Sequence, residues 1–345
     1  MNKLRAGVIG LGMGRGHSLE YHKHPRVDLA ALADPDAGRL RSLADELGVE
    51  KRYGTAEEML SREELDLVSV ATPNNTHKPL TIAALKAGCH VLCEKPMAMN
   101  AAEAEEMLAA AGQTGRRLMI NFSSRFNPQA GAMKREADAG TLGEIYFARS
   151  VWQRRRGIPG LGGWFGQKAL AGGGPLIDLG VHRLDLALWL MGYPKPVWVL
   201  AATHEAIGSE MARREGKSFD VEDLAVALVR FENGATLALE ASWAGNIREN
   251  DLMETRLMGT RGGMLQTNRN EDYAFDLELF VERNGIQYDC TPHPPLPAVP
   301  SAMAHFADCI LDGKPHTATG EEGLTVQRLL DAMYESADQG EPVGL

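Results

Sequence analysis

Over the first third of the chain, short apolar runs at 4–9, 27–33, 67–71, 90–93 and 118–122 alternate with stretches of helical periodicity at 37–47, 56–60, 79–87 and 101–111. Near-continuous apolar strands separated by amphipathic helices predict a parallel sheet covered on both faces. From about residue 123 the rhythm changes. The pattern predicts a helix over 128–139, a strand over 145–152, a Gly-rich loop and a long apolar helix over 175–191. Runs at 197–202, 223–231, 235–243, 254–259, 263–266 and 277–281 read as antiparallel strands, with Asn233-Gly234 as a hairpin turn. The proline-rich stretch 291–300 must be a loop, and 320–337 returns to helix. The chain is thus predicted to be α/β. A doubly wound parallel sheet spans 1–122, and an α+β domain with a mostly antiparallel sheet spans 123–345.

Composition narrows the function without naming it. The 345 residues carry a net charge of -10 and 44% hydrophobic residues, enough for a substantial core. The charge is scattered, and the one dense cationic run is Arg154-Arg155-Arg156, so a nucleic-acid partner is not expected. Cys89, Cys93, Cys290 and Cys309 lack the paired spacing of a zinc site and read as reduced thiols in a cytoplasmic protein. The opening Met-Asn-Lys-Leu-Arg leads into an apolar strand of about five residues, too short for a signal peptide or a membrane span.

The first strand runs into Gly10-Leu11-Gly12-Met13-Gly14-Arg15-Gly16. Such glycines let backbone N–H groups approach a pyrophosphate, and the following helix N-terminus favours its negative charge. Arg15 stands where a third glycine would fall, so Gly14 or Gly16 must supply the close helix packing. Asp34 ends the second strand, 24 residues after Gly10, where a carboxylate accepts from ribose hydroxyls and repels a 2′-phosphate. This favours NAD over NADP, and Arg39 nearby weakens the preference. The competing reading of Asp34-Pro35 is a turn capping the next helix.

The helix after Pro175 is apolar nearly all round and expected to be buried, yet Asp178, His182 and Asp185 fall at i, i+4 and i+7. Such a stripe needs either a polar cavity or an internal network. Asp178 and His182 therefore either face a substrate or satisfy each other and the helix N-terminus, while Asp185 reads as structural. No third ligand accompanies the Asp-His pair at metal-binding spacing, so no metal is expected. Lys95 follows a parallel strand at the carboxyl edge, where such sheets bind ligands. Arg156, Trp164 and Lys168 are of the types that hold sugars, and Asn121 and Arg125 close the last parallel strand, within reach of a cofactor or substrate.

Three runs in order carry a family likeness: Ala71-Thr72-Pro73-Asn74-Asn75-Thr76-His77, Glu94-Lys95-Pro96, and Gly172-Gly173-Gly174-Pro175-Leu176-Ile177-Asp178-Leu179-Gly180-Val181-His182. After a glycine-rich first turn they resemble the Gfo/Idh/MocA oxidoreductases over essentially the whole chain. The resemblance implies an N-terminal Rossmann domain, a C-terminal domain with a large open sheet used for homodimer or homotetramer contacts, and NAD(H) or NADP(H) at the domain junction. It implies that Lys95, Asp178 and His182 are catalytic and touch substrate, and that Thr72, Pro73, Asn74, His77, Glu94 and Pro96 line the cofactor with Gly10, Gly12, Met13, Gly14, Asp34, Arg39 and Asn121. Lys95 would hold developing alkoxide charge. His182 would act as base in oxidation and acid in reduction, and Asp178 would orient it or bind a neighbouring hydroxyl. The expected activity is hydride transfer between nicotinamide and a hydroxyl-bearing carbon of a sugar, polyol or inositol. The alternatives are a redox-neutral enzyme that retains NAD, and a non-catalytic sugar sensor, whose mark would be loss of the catalytic residues present here.

Overall fold

The computed structural model describes residues 3–345. The first sheet contains β1 (Leu4–Ile9), β2 (Val27–Ala33), β3 (Lys51–Tyr53), β4 (Leu67–Val70), β5 (His90–Cys93) and β6 (Leu118–Ile120). All strands are parallel, in the order β3-β2-β1-β4-β5-β6. This is the doubly wound order, with the topological switch between β1 and β4. β4 is buried at every residue, as its unbroken apolar run requires. Helices α1 (Gly14–Lys23), α2 (Ala37–Leu47), α3 (Ala56–Arg62), α4 (His77–Lys86) and α5 (Ala101–Thr114) make the crossovers. Asp36 caps α2 by accepting from the Gly38 and Arg39 N–H groups, and Asn100 caps α5 through Glu103 N–H.

The first compact unit comprises the described residues up to Phe122 together with Pro300–Gln327. The returning segment supplies α10 (Ala302–Leu311) and the start of α11 (Gly320–Gln339). Ile120 N–H donates to Ala318 O, and Arg117 reaches the carbonyls of Cys309 and Lys314.

The second unit holds Ser123–Val299 and Arg328–Leu345. It contains α6 (Pro128–Asp138), β7 (Ile145–Arg154), α7 (Lys168–Ala171), α8 (Val181–Leu190), β8 (Pro196–His204), α9 (Ala206–Glu215), β9 (Leu224–Phe231), β10 (Thr236–Ser242), β11 (Asp251–Gly259), β12 (Gly262–Asn268), β13 (Phe275–Arg283), β14 (Ile286–Cys290) and β15 (Val343–Gly344). Its nine-stranded sheet runs β14-β13-β12-β11-β7-β10-β9-β8-β15 and is antiparallel except where β10 lies parallel to β7. The Asn233-Gly234 turn joins β9 to β10 as expected, with Gly234 at φ 85°. Trp152, Leu179, Val221, Ala241, Trp243 and Met253 form a core cluster on this unit.

Several elements differ from the periodicity reading. β3 was not expected, because Lys51-Arg52-Tyr53 has no apolar run and only Tyr53 is buried. β14 is exposed along most of its length and shows no alternation. The helices α9 and α10 were also not anticipated. The long helix expected over 175–191 is two pieces: a π-helical turn, Leu176–Gly180, and then α8.

Candidate active site

The dinucleotide cradle is built entirely within the first unit. Gly10 has φ 83°, and a Cβ there would lie 2.6 Å from Ala71 O and 2.7 Å from Thr72 Cγ2. At Gly14 a Cβ would meet Val8 Cγ1 at 2.8 Å, whereas at Gly12 and Gly16 nothing lies within 4 Å. The close packing of α1 against β1 thus falls to Gly14, and Gly16 takes no part. Arg15 points outward and pairs with Glu46. Gly12 faces open space beside exposed Met13, and no side chain caps α1. A cradle that a Cβ would fill, next to a helix N-terminus that no side chain caps, fits a diphosphate.

Asp34 is buried and accepts from Leu11 N–H at 2.7 Å and Asp36 N–H at 2.8 Å. The helix-capping role offered for it belongs instead to Asp36. Asp34 pins the glycine turn to the end of β2. Half-exposed Arg39 reaches it at 3.2 Å, so the two residues expected to read the ribose are paired with each other.

The turn after β4 meets the turn after β5. His77 is fully buried, with Nδ1 2.7 Å from Pro96 O and Nε2 2.9 Å from Thr72 O. Burial pushes its pKa down against the pull of these carbonyls. Buried Asn74 opens a 3-10 turn through Thr76, whose hydroxyl donates to Thr72 Oγ1 at 2.7 Å. Beyond β5, Glu94 Oε1 lies 2.9 Å from His17 Nε2 and accepts from Asn121 Nδ2 at 2.6 Å, while Oε2 accepts from Lys95 N–H at 3.2 Å. Burial alone would raise the Glu94 carboxyl. The hydrogen bond and charge of His17, with Lys95 and the Asn121 amide, outweigh it and hold the group at about 2. The turn that ends in half-buried Lys95 and cis Pro96 is therefore anchored by an ionised carboxylate. His17 was missed in the sequence, where its only signal is a histidine three residues after Gly14.

In the second unit the polar stripe divides. Asp178 lies in the π-helical turn and accepts from Trp243 Nε1 at 3.0 Å. Single π turns inside helices recur at functional sites. His182, on α8, sets its ring against Trp152 with centroids 5.7 Å apart. Both residues are 9% exposed. Asp185 leaves the stripe to pair with Arg125, which donates from Nε at 2.8 Å and from a terminal nitrogen at 2.5 Å, with Tyr193 OH adding a third donor at 2.8 Å. Asp185 is structural, as expected, and Arg125 is 2% exposed with its guanidinium engaged in this pair.

Trp164 stacks on Phe165 at 3.9 Å, and Phe165 meets Trp243 edge-on at 6.3 Å, so an aromatic row leads to Asp178. Arg156 is exposed and donates to Gly245 O at 3.0 Å and Asn246 Oδ1 at 2.8 Å. Lys168 is exposed at the start of α7. Behind His182, the Arg183 guanidinium lies 5.1 Å from the Trp152 ring and 5.7 Å from Phe275, and burial brings it down to about 10 against the pull of Asp251 and Tyr273. Among the described residues no cluster of His, Cys, Asp and Glu has the arrangement of a metal site, and no helix is long and apolar enough to cross a membrane.

Comparison with known proteins places this geometry. Residues 4–122 match the oxidoreductase family with an NAD-binding Rossmann fold (GFO_IDH_MocA), and residues 131–265 match the GFO/IDH/MocA C-terminal domain. The chain is 33% identical to D-glucoside 3-dehydrogenase of Escherichia coli (strain K12), over 99% of this chain and 97% of that protein. Among solved structures, aldose-aldose oxidoreductase from Caulobacter crescentus, complexed with glycerol, superposes with a TM-score of 0.85 at 29% identity, covering 100% of both chains. GenD2 from gentamicin A biosynthesis, in complex with NAD, gives 0.80 at 29% identity, covering 100% of this chain and 97% of that one. A glycine cradle closed by Gly10 and Gly14, a Glu-Lys-Pro turn fixed by buried partners and full-length likeness together make this chain a member of the Gfo/Idh/MocA family of NAD-binding oxidoreductases.

Proposed function

We propose that the enzyme transfers a hydride between NAD and a hydroxyl-bearing carbon of a sugar or polyol, with Lys95, Asp178 and His182 as its catalytic residues. The observation that carries the assignment is the pair of buried polar side chains Asp178, on a π turn held by Trp243, and His182, set against Trp152, on a segment whose Asp185 is paired with Arg125 instead. The names of relatives, among them D-glucoside 3-dehydrogenase and myo-inositol 2-dehydrogenase of Thermotoga maritima, support the substrate class. When bound, NAD supplies the hydride acceptor or donor at its nicotinamide ring. Gly10, Gly12, Met13 and Gly14 hold its diphosphate, Asp34 and Arg39 its adenosine ribose, and Thr72, Pro73, Asn74, His77, Glu94, Pro96 and Asn121 line the rest of its site.

The Lys95 ammonium donates to the reacting oxygen and stabilises negative charge as it develops there. His182 takes the hydroxyl proton in oxidation and returns it in reduction. Asp178 binds a neighbouring hydroxyl or orients His182, and Trp164, Arg156 and Arg125 belong to the wider substrate surroundings. Lys95→Ala and His182→Ala should each lower kcat by about 100-fold or more and leave NAD affinity near that of the parent. Parent rates in both variants, followed by reduced-cofactor absorbance over a panel of sugars and inositols, would refute the assignment.

The likeness to an aldose-aldose oxidoreductase favours a second reading, hydride exchange between two sugars without net release of NADH. Conversion of mixed aldoses without accumulation of reduced cofactor would select it. We further read the protein as cytoplasmic and as a dimer or tetramer through its open sheet. Exposed Tyr146, Val197, Leu200, Val226, Ile286 and Tyr288 on β7, β8, β9 and β14 support this assembly.

A further inference from the structure

We propose that Glu222 and Tyr334 are positioning residues, a buried carboxylate–phenol pair that fixes the segment bearing Asp178 and His182. The proposal rests on the catalytic reading of those two residues. The segment begins at Gly172-Gly173-Gly174-Pro175, and no side chain of its own caps the π turn. Pro175 has no N–H to give. The N–H groups on either side of it are taken by one remote side chain. Gly174 N–H donates to Glu222 Oε2 at 2.9 Å and Leu176 N–H to Oε1 at 3.0 Å, while Tyr334 OH donates to Oε1 at 2.9 Å. All of these residues lie in the second unit.

Gly173 and Gly174 bring the chain close to Tyr334 and to the backbone of Glu222. A Cβ on Gly173 would sit 2.0 Å from Tyr334 OH, and one on Gly174 would sit 2.0 Å from Glu222 O. A side chain at Gly174 would strike the Glu222 backbone and one at Gly173 the Tyr334 phenol, so this part of the glycine run is accounted for by close approach to these two residues. Three donors converge on the two oxygens, an arrangement that suits a carboxylate as acceptor. Burial raises the Glu222 carboxyl above its ordinary value, and the N–H groups of Gly174, Leu176 and Glu222 with the Tyr334 hydroxyl pull against that rise.

Position is transmitted because the segment has nowhere to relax. Every residue from 173 to 188 is buried. In a close-packed interior a shift at the start of the π turn moves Asp178 and, one turn later, His182. Geometry of catalytic groups is the property most sensitive to such shifts.

Glu222→Gln keeps the shape but sets an amide N–H₂ against an N–H donor in either orientation, since Gly174 and Leu176 cannot turn away. Tyr334→Phe removes only the hydroxyl and serves if Glu222→Gln does not fold. In full-length enzyme with NAD, kcat per NAD-binding site should fall about 10- to 100-fold, with NAD affinity unchanged because the glycine cradle is in the other unit. In ¹⁵N-tryptophan-labelled protein the indole resonance of Trp243, which reports on Asp178, should shift. Glu222→Gln combined with His182→Ala should lose less than the product of the two single losses, because part of the Glu222→Gln effect passes through His182. Parent kcat per NAD site in both Glu222→Gln and Tyr334→Phe overturns the proposal, as does an additive loss in the double variant. If His182→Ala runs at the parent rate, the catalytic reading fails instead. The Trp243 resonance then still reports whether Glu222 holds Asp178 in place.

Discussion

Glu94→Gln tests the physical account of the Glu-Lys-Pro turn. The substitution preserves volume and removes the charge that His17, Asn121 and Lys95 N–H surround. A carboxyl held at about 2 instead of 4.5 favours the folded, ionised form by about 3 kcal/mol at neutral pH, at about 1.4 kcal/mol per pH unit. The sign follows from the direction of the shift. A lowered carboxyl contributes fully above its unfolded value of 4.5 and loses that contribution as pH falls toward about 2. Between pH 6 and pH 3 the parent should therefore forfeit about 2 kcal/mol that the variant never had. The assay is equilibrium urea unfolding of both proteins without cofactor at a series of pH values. Taking the difference between them cancels the titrating groups that are not coupled to Glu94. The stability gap should narrow from about 3 kcal/mol at pH 6 to about 1 kcal/mol at pH 3. A gap that stays constant across this range would show that Glu94 is not held ionised by its neighbours, and the reasoning would fail.

The cradle and the assembly give two further predictions. Gly12→Ala should leave the melting temperature unchanged, because its Cβ meets no protein atom within 4 Å, and should weaken NAD binding about tenfold or more by filling the space beside the helix N–H groups. Gly10→Ala, at φ 83° and 2.6 Å from Ala71 O, should instead lower the melting temperature. Calorimetry and NAD titration separate the two, and equal behaviour would refute the cradle. Light scattering should give two or four times the chain mass, and Leu200→Glu with Val226→Glu should reduce it. A monomeric parent would end that reading.

The parallel sheet was readable because β1, β2, β4 and β5 are buried on both faces and so are nearly continuous apolar runs. β3 and β14 were not readable, since strands with little buried surface carry little pattern. For α10 a usable signal was present: Ser301 caps it through Ala304 N–H ahead of an apolar run. At the site, residues adjacent in sequence were legible and their supports were not. Gly10 and Gly14 announce the cradle. Nothing local links Gly174 to Glu222, 48 residues away, or Glu222 to Tyr334, 112 residues further on. The π turn was hidden for a related reason, because i, i+4 spacing suits both it and an α-helix. Asp34 and Asp36 show the limit of capping rules: either aspartate could have capped α2, and the backbone path chose Asp36.

The closure of the first unit by residues 300–327 has a consequence for synthesis on the ribosome. The six parallel strands leave the exit tunnel early, while α10 and the stretch that bonds to Ile120 arrive about 180–200 residues later, roughly 10–40 s at about 5–20 residues per second. For that interval the outer edge of β6 has no neighbour, and Arg26 waits for Asp308 and Asp312. A nascent chain with an open strand edge is a pairing hazard, so the half that binds the nucleotide is the half that must be shielded until translation is nearly finished.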